Sequence, residues 1–243
     1  MAEQSLNFPA SPVQPPVEPP RRRSRLRRAG RILLFVLGGY YVLCILLLVV
    51  YRFVSPPITG VQLQRRVEAW SSDGDHVTRK RFVAIDRLPR YVPRAVVAAE
   101  DGNFYRHHGF DFGQMLAAQR TAVRGGRIRG ASTITQQLVK NLFGCACRNP
   151  LRKIYEVALT WPAELILGKE RILELYLNEV EWGPGRYGID AGARLHYDVA
   201  ARRLSREQAA GLAALLPNPR TRTPGNTRGY RREILRRMVQ RGW

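Results

Sequence analysis

Cysteine, acid and strand-like alternation are what this chain has least of. Three cysteines in 243 residues are too few for a disulfide-stapled fold. Cys44 lies within an apolar run, and Cys145 and Cys147 are separated by one residue. Two thiols do not make a tetrahedral zinc site, and a bridge between residues this close would be strained. We therefore expect no functional disulfide and no metal site built from protein ligands. Apolar–polar alternation is missing after Ile85, with room for a short strand or two near Val77 to Ala84; the runs of helical pattern give a mainly α fold instead. Acid is scarce too, since 19 Asp and Glu face 40 Lys and Arg, leaving a net charge of +21.

One long apolar run is present. Ile32 to Val50 is uncharged and about the length that crosses a bilayer. Arg21, Arg22, Arg23, Arg25, Arg27, Arg28 and Arg31 precede it, so the positive-inside rule places the N-terminus in the cytoplasm and everything after Tyr51 outside. The run exceeds the ~7–15 residues of a signal-peptide core and no Ala-x-Ala site follows, which favours an uncleaved anchor over a cleaved signal. Residues 1–31 read as a disordered basic tail, 32–54 as a transmembrane anchor and 55–243 as one domain with a core of its own. Beyond Val54 the chain carries 32 basic and 17 acidic residues, a surface that seeks anions. Nucleic acid does not fit a domain beyond a membrane without a recognisable binding motif, whereas anionic lipid headgroups do.

The most informative segment is Ala98-Ala99-Glu100-Asp101-Gly102-Asn103-Phe104-Tyr105-Arg106-His107-His108-Gly109-Phe110-Asp111. Pro93 to Ala99 reads as a short apolar helix with Pro in its first turn, and Glu100 emerges at its end. A carboxylate at a helix C-terminus, against apolar residues, is disfavoured as an anion, so its pKa should rise toward the range useful to a general base. The competing reading is a structural turn in which Asp101 caps the next segment and the histidines pair on the surface. Phe110, Phe112, Met115 and Leu116, followed by a basic loop to Arg129, suggest a segment that rests on a bilayer, or else ordinary core contacts.

Gly130-Ala131-Ser132-Thr133-Ile134-Thr135-Gln136-Gln137-Leu138-Val139-Lys140-Asn141-Leu142-Phe143 reads as a helix capped near Ser132. Helical spacing puts Ser132, Gln136 and Lys140 on one face and Ile134, Leu138 and Leu142 on another. Arg124, Arg127 and Arg129 precede this helix start, a reasonable arrangement for an anion. An ordinary amphipathic helix with a solvated polar face would show the same pattern. Asn149 and Pro150 then open a further helix, in which Arg152 and Lys153 favour the ionised form of Glu156. Pro162 should kink or end it. Two carboxylates in different surroundings suit glycosyl chemistry. Downstream, Ile172, Leu173, Tyr176 and Leu177 form a core stripe, Trp182 to Gly188 a turn-rich loop, and Ser205 to Gln208 a capping box. Tyr230, Ile234, Leu235 and Met238 then face inward from an arginine-rich final helix.

Five blocks together resemble the family 51 glycosyltransferases, the peptidoglycan glycan-strand polymerases. They are Glu100 to Phe104 with His108-Gly109; Gly130 to Leu138 with Lys140-Asn141; Arg152-Lys153 with Glu156; Lys169 to Asn178; and Tyr187-Gly188 with Ala191 and Ala193. The match runs roughly from Val77 to the C-terminus. Gly144 to Cys147 and Trp161-Pro162-Ala163 depart from the family's usual pattern. The resemblance implies a lysozyme-like, mainly α domain that polymerises lipid II, with inversion and release of undecaprenyl diphosphate. It makes Glu100 the general base and Glu156 a second catalytic carboxylate supporting the leaving diphosphate. Lys140, Arg148 and Arg152 would hold that diphosphate, and Ser132, Gln136 and Gln137 would line the sugar and phosphate sites. No tightly bound cofactor is implied, but a divalent cation, Mg2+ or Mn2+, would accompany the diphosphate. Expected partners are lipid II, the growing strand, membrane lipids and cell-wall synthesis or division proteins. The 243 residues contain no Ser-x-x-Lys or Lys-Thr-Gly, so no transpeptidase activity is expected. A lysozyme-like glycan-cleaving enzyme and a non-catalytic scaffold are the alternatives.

Overall fold

A computed structural model describes residues 21–70, 79–125, 132–144 and 150–243, with side chains described from Arg27 onward except at 79 and 150–152. Residues 1–20 of the expected disordered tail, the basic loop at Arg127 and Arg129, Cys145, Cys147 and Arg148 lie outside the described residues, whereas 21–31 of that tail are helical. The chain divides into two compact units, Met1–Val42 and Leu43–Trp243.

Helix α1, Arg21–Tyr51, contains the apolar stretch Arg27–Tyr51, long and apolar enough to cross a membrane, with a hydropathy of 2.8. Its last turns belong to the second unit, where Cys44 and Leu48 are buried and Arg171 Nε donates to Tyr51 O at 2.9 Å. An arginine is well suited there, because the last carbonyls of a helix have no partner of their own.

Three later helices begin with one device. In α2, Gly60–Trp70, Gln62 N donates to Thr59 Oγ1 and Thr59 N to Gln62 Oε1, both at 3.3 Å. In α5, Ile134–Phe143, Thr133 and Gln136 close the same reciprocal pair, and in α8, Arg206–Ala213, Ser205 and Gln208 do so. Each box satisfies two donors at a helix start. The cap of α5 is thus Thr133 rather than the expected Ser132, because only Thr133 is three residues from Gln136.

Between these lie α3, Tyr91–Glu100, and α4, Phe112–Val123, the latter capped by Asp111, which accepts from Gln114 N. The long α6, Pro150–Glu179, passes through Pro162 and breaks at Gly168, where φ is 74° and ψ 163°. The expected interruption therefore falls six residues later, at the position whose missing Cβ permits a positive φ.

The segment expected as a loop at 182–188 is a hairpin. Strands β2, Glu181–Gly183, and β3, Arg186–Tyr187, pair antiparallel, and β1, Arg79–Lys80, joins β3 in parallel to give the order β1-β3-β2. Strands this short carry too little alternation to read from sequence. Gly188, at φ 84°, then turns the chain into α7, Ile189–Tyr197, and α9, Arg228–Gln240, closes the fold. Ile172, Leu173, Tyr176 and Leu177 are buried as expected, together with Trp182, Phe104 and the apolar residues of α3.

A Cβ at Gly192 would lie 2.5 Å from the Trp182 Cβ, whereas one at Gly229 meets nothing within 4 Å. Gly192→Ala should therefore destabilise by about 1–3 kcal/mol through overpacking, while Gly229→Ala should be neutral or gain up to ~1 kcal/mol. Denaturant midpoints of the two variants against wild type check both values.

Candidate active site

Helix α3 is apolar on nearly every side, with Val92 and Ala95 to Ala99 buried, because it packs against α8 and α9. Its core position sends the chain out at Glu100, its final residue. The last carbonyls of α3 are held by α9: Tyr230 Oη donates to Ala99 O at 2.7 Å and Arg237 Nη1 to Ala98 O at 3.2 Å.

The Glu100 carboxylate opens into a cavity of about 730 Å³ bordered by Asn103, Gln114, Tyr230, Glu233 and Arg237. Its Oε2 accepts from Gln137 Nε2 at 2.8 Å, and Gln137 Oε1 in turn accepts from Tyr176 Oη at 2.9 Å. Burial raises the Glu100 carboxyl above its ordinary value; the Gln137 bond and the charges of Lys140 and Arg222 pull it down, and Asp101 adds to the rise. Loss of water outweighs the favourable partners, the behaviour expected of a carboxyl placed for proton transfer.

Asp101 turns the other way and is buried. Its oxygens meet His107 Nε2 at 3.0 Å, and Oδ2 accepts from Ile134 N at 3.0 Å. The Glu-Asp pair thus divides its work, Glu100 facing the cavity and Asp101 pinning the start of α5 to the end of α3. His107 is half-buried against Asp101 and His108 is exposed, so the histidines do not form a surface pair. Asp111, not Asp101, caps the next helix. Burial would raise its carboxyl, but bonds from Gln114 and Asn103 outweigh this and hold it low.

Across α5, Gln137, Lys140 and Asn141 border a second cavity, of about 260 Å³, together with Arg65, Tyr176, Glu181 and Arg220. The face turned to this cavity is therefore not the expected Ser132–Gln136–Lys140. Gln136 is 1% exposed, and its Oε1 accepts from Thr133 N at 3.1 Å, so the capping box holds it inside. Ser132 is half-buried just ahead of the cap. Glu156 is 3% exposed on α6, with Lys153 Nζ at 3.5 Å, and borders neither cavity. Arg152 has its backbone on α6 and its side chain outside the described residues. Arg65 and Arg220 were not anticipated; each pairs with a carboxylate, Arg65 with Glu68 at 2.7 Å and Arg220 with Glu181 at 4.0 Å. Tyr176 was read as core only, although a tyrosine in an apolar stripe needs a partner for its hydroxyl. Among the described residues no three His, Cys, Asp or Glu side chains converge.

A carboxyl raised by burial thus sits at the end of a buried helix with one amide donor on it, and Lys140, Arg65 and Arg220 line the adjoining cavity. The Transglycosylase family matches residues 66–239. The chain belongs to that family. It is 44% identical to the biosynthetic peptidoglycan transglycosylase of Pseudomonas fluorescens (strain SBW25), covering 84% of this chain and 85% of the relative. It is 46% identical to the protein of that name from Chromohalobacter salexigens, covering 82% and 85%, and 42% identical to that from Ectopseudomonas mendocina, covering 84% and 85%.

Because the folded state holds the Glu100 proton to higher pH than the unfolded chain does, its contribution to stability is complete below about pH 4 and lost as pH rises through the folded value. Glu100→Gln buries no charge, so its melting temperature should match wild type near pH 4 and exceed it near pH 8. Asp101→Ala should lower stability by about 2 kcal/mol at neutral pH, since it leaves the Ile134 N–H and His107 without their acceptor. Thermal unfolding of both variants across pH checks these signs.

Proposed function

We propose that this enzyme polymerises the glycan strands of peptidoglycan from lipid II, and that Glu100 is its general base. The observation that carries the reading is the half-buried Glu100 carboxylate on a cavity, held by Gln137 and raised by its loss of water, in a chain of the transglycosylase family. Glu100 takes the proton from the 4-hydroxyl of the acceptor GlcNAc as that oxygen attacks the anomeric carbon of the lipid-linked strand. The new C1–O4 bond forms as the C1–O bond to the diphosphate breaks, and the diphosphate leaves with the electron pair. Attack opposite to the leaving group inverts the anomeric centre and gives a β-1,4 link.

The departing diphosphate requires fixed positive charge more than a strong acid. Lys140, with Arg148 and Arg152, supplies it in this reading, and Arg suits the role through bidentate contact. Gln137 and Ser132 border the sugars, Gln136 supports them by holding the helix start, and Glu156, paired with Lys153, backs the diphosphate side. Mg2+ or Mn2+ would enter bound to the diphosphate. These 243 residues carry no transpeptidase motif, so strand polymerisation alone is proposed.

Location follows from the apolar helix. We place the apolar run Ile32 to Val50 of α1 in the inner membrane as a single anchor, with the arginines before it, Arg31 included, cytoplasmic and the catalytic domain on the outer side. On α4, Phe112 is 74% and Val123 83% exposed, with Met115 and Leu116 also open to solvent, which supports contact with the bilayer from which a lipid-linked substrate is drawn.

Labelled lipid II with a divalent ion should give long glycan strands on a gel with wild type, and at least ~10²-fold less with Glu100→Gln. Cleavage of preformed glycan with no polymer from lipid II would instead favour the lysozyme-like enzyme, in which a raised carboxyl acts as an acid.

A further inference from the structure

We propose that Tyr176 is a positioning residue for Glu100, acting through Gln137, an inference that rests on Glu100 being the base. A glutamine amide beside a carboxylate helps in one orientation only. Its N–H₂ stabilises the anion, whereas its carbonyl, facing the same oxygens, repels it. The two orientations occupy the same space, so packing alone does not choose between them.

Gln137 is held in the favourable one. Tyr176 Oη lies 2.9 Å from Gln137 Oε1, on the far side of the amide from Glu100, and Gln137 Nε2 lies 2.8 Å from Glu100 Oε2. Reversing the amide with Glu100 ionised would set its carbonyl against a carboxylate. Removing the phenol instead would leave the carbonyl of the favourable orientation without a donor beside a buried ring. Tyr176 is 1% exposed on the second half of α6, and burial holds its phenol well above the ordinary tyrosine range, so it stays protonated while Glu100 titrates. The same α5 residue is anchored from behind, since Asn141 Nδ2 donates to Gln137 O at 2.8 Å. Among the described residues no donor meets Glu100 Oε1, which leaves that oxygen for the acceptor hydroxyl. A fixed amide on one oxygen and an open second oxygen is the arrangement a directional base requires.

The test is the pH dependence of kcat/KM for strand synthesis from lipid II by the full chain in detergent. Wild type, Tyr176→Phe, Gln137→Ala and the double variant are compared, with Glu100→Gln as reference and thermal unfolding to verify folding. Tyr176→Phe keeps the ring and hence the packing. It should lower kcat/KM about tenfold at neutral pH, chiefly through kcat, and move the acidic limb of the profile to higher pH. The double variant should be no worse than Gln137→Ala, since both changes remove one device. An unmoved acidic limb in Tyr176→Phe, or losses that multiply in the double variant, would overturn the positioning role. Polymerisation retained by Glu100→Gln would overturn the base itself, a failure separate from that of Tyr176.

Discussion

The structure depends on a carboxylate that emerges from the buried end of an apolar helix. Helix α3 can pack on α8 and α9 only because its residues from Val92 to Ala99 are almost all apolar and small enough to be enclosed. Its terminal carbonyls and the Glu100 side chain must then find partners where little water reaches. Tyr230 and Arg237 meet the carbonyls, Gln137 meets the carboxylate, and Asp101 ties the next backbone N–H of consequence, that of Ile134, to the same point. Two helices, α9 and α5, thus converge on the end of α3, and the position of Glu100 follows from the packing of the core.

This convergence also explains the division of labour within Glu100-Asp101. Two adjacent carboxylates left to solvent would differ little. Here one is enclosed with two donors and serves as a structural pin, while the other keeps an opening to a cavity and one amide donor. Their unequal surroundings, set by the turn between them, leave Glu100 as the one with a raised carboxyl and an open side. Cations stand on both sides of it, Lys140 on α5 and Arg236, Arg237 and Arg241 around its own cavity, and the pull of Lys140 and Arg222 lowers its carboxyl without overcoming burial.

Much of this was legible in the sequence. The apolar run before Glu100, the helix start read near Ser132, one residue ahead of its actual cap, Pro150 as a first helical residue and the Ser205 to Gln208 box are short-range signals whose partners lie within one turn. What was not legible depends on contacts far apart in the chain. Gln136 and Gln137 are neighbours of one residue type, and only the closed box shows that the first is enclosed and the second faces the site. The hydroxyl of Tyr176 finds its partner 39 residues away, and that of Tyr230 finds Ala99 131 residues away. Pro162 looked like the helix breaker, yet Gly168 supplies the positive φ at which α6 turns. The strands of the hairpin at Glu181 to Tyr187 are too brief for any periodicity to show.

The central claim is that burial, moderated by one amide, sets the proton affinity of Glu100. Carbon-13 NMR of Glu side-chain carboxyls, with the Glu100 signal assigned by its loss in Glu100→Gln, measures this directly. The account predicts titration of that signal above the ordinary value of about 4.3, moving higher still in Gln137→Ala. Titration at or below the ordinary value, unchanged when Gln137 is removed, would contradict it.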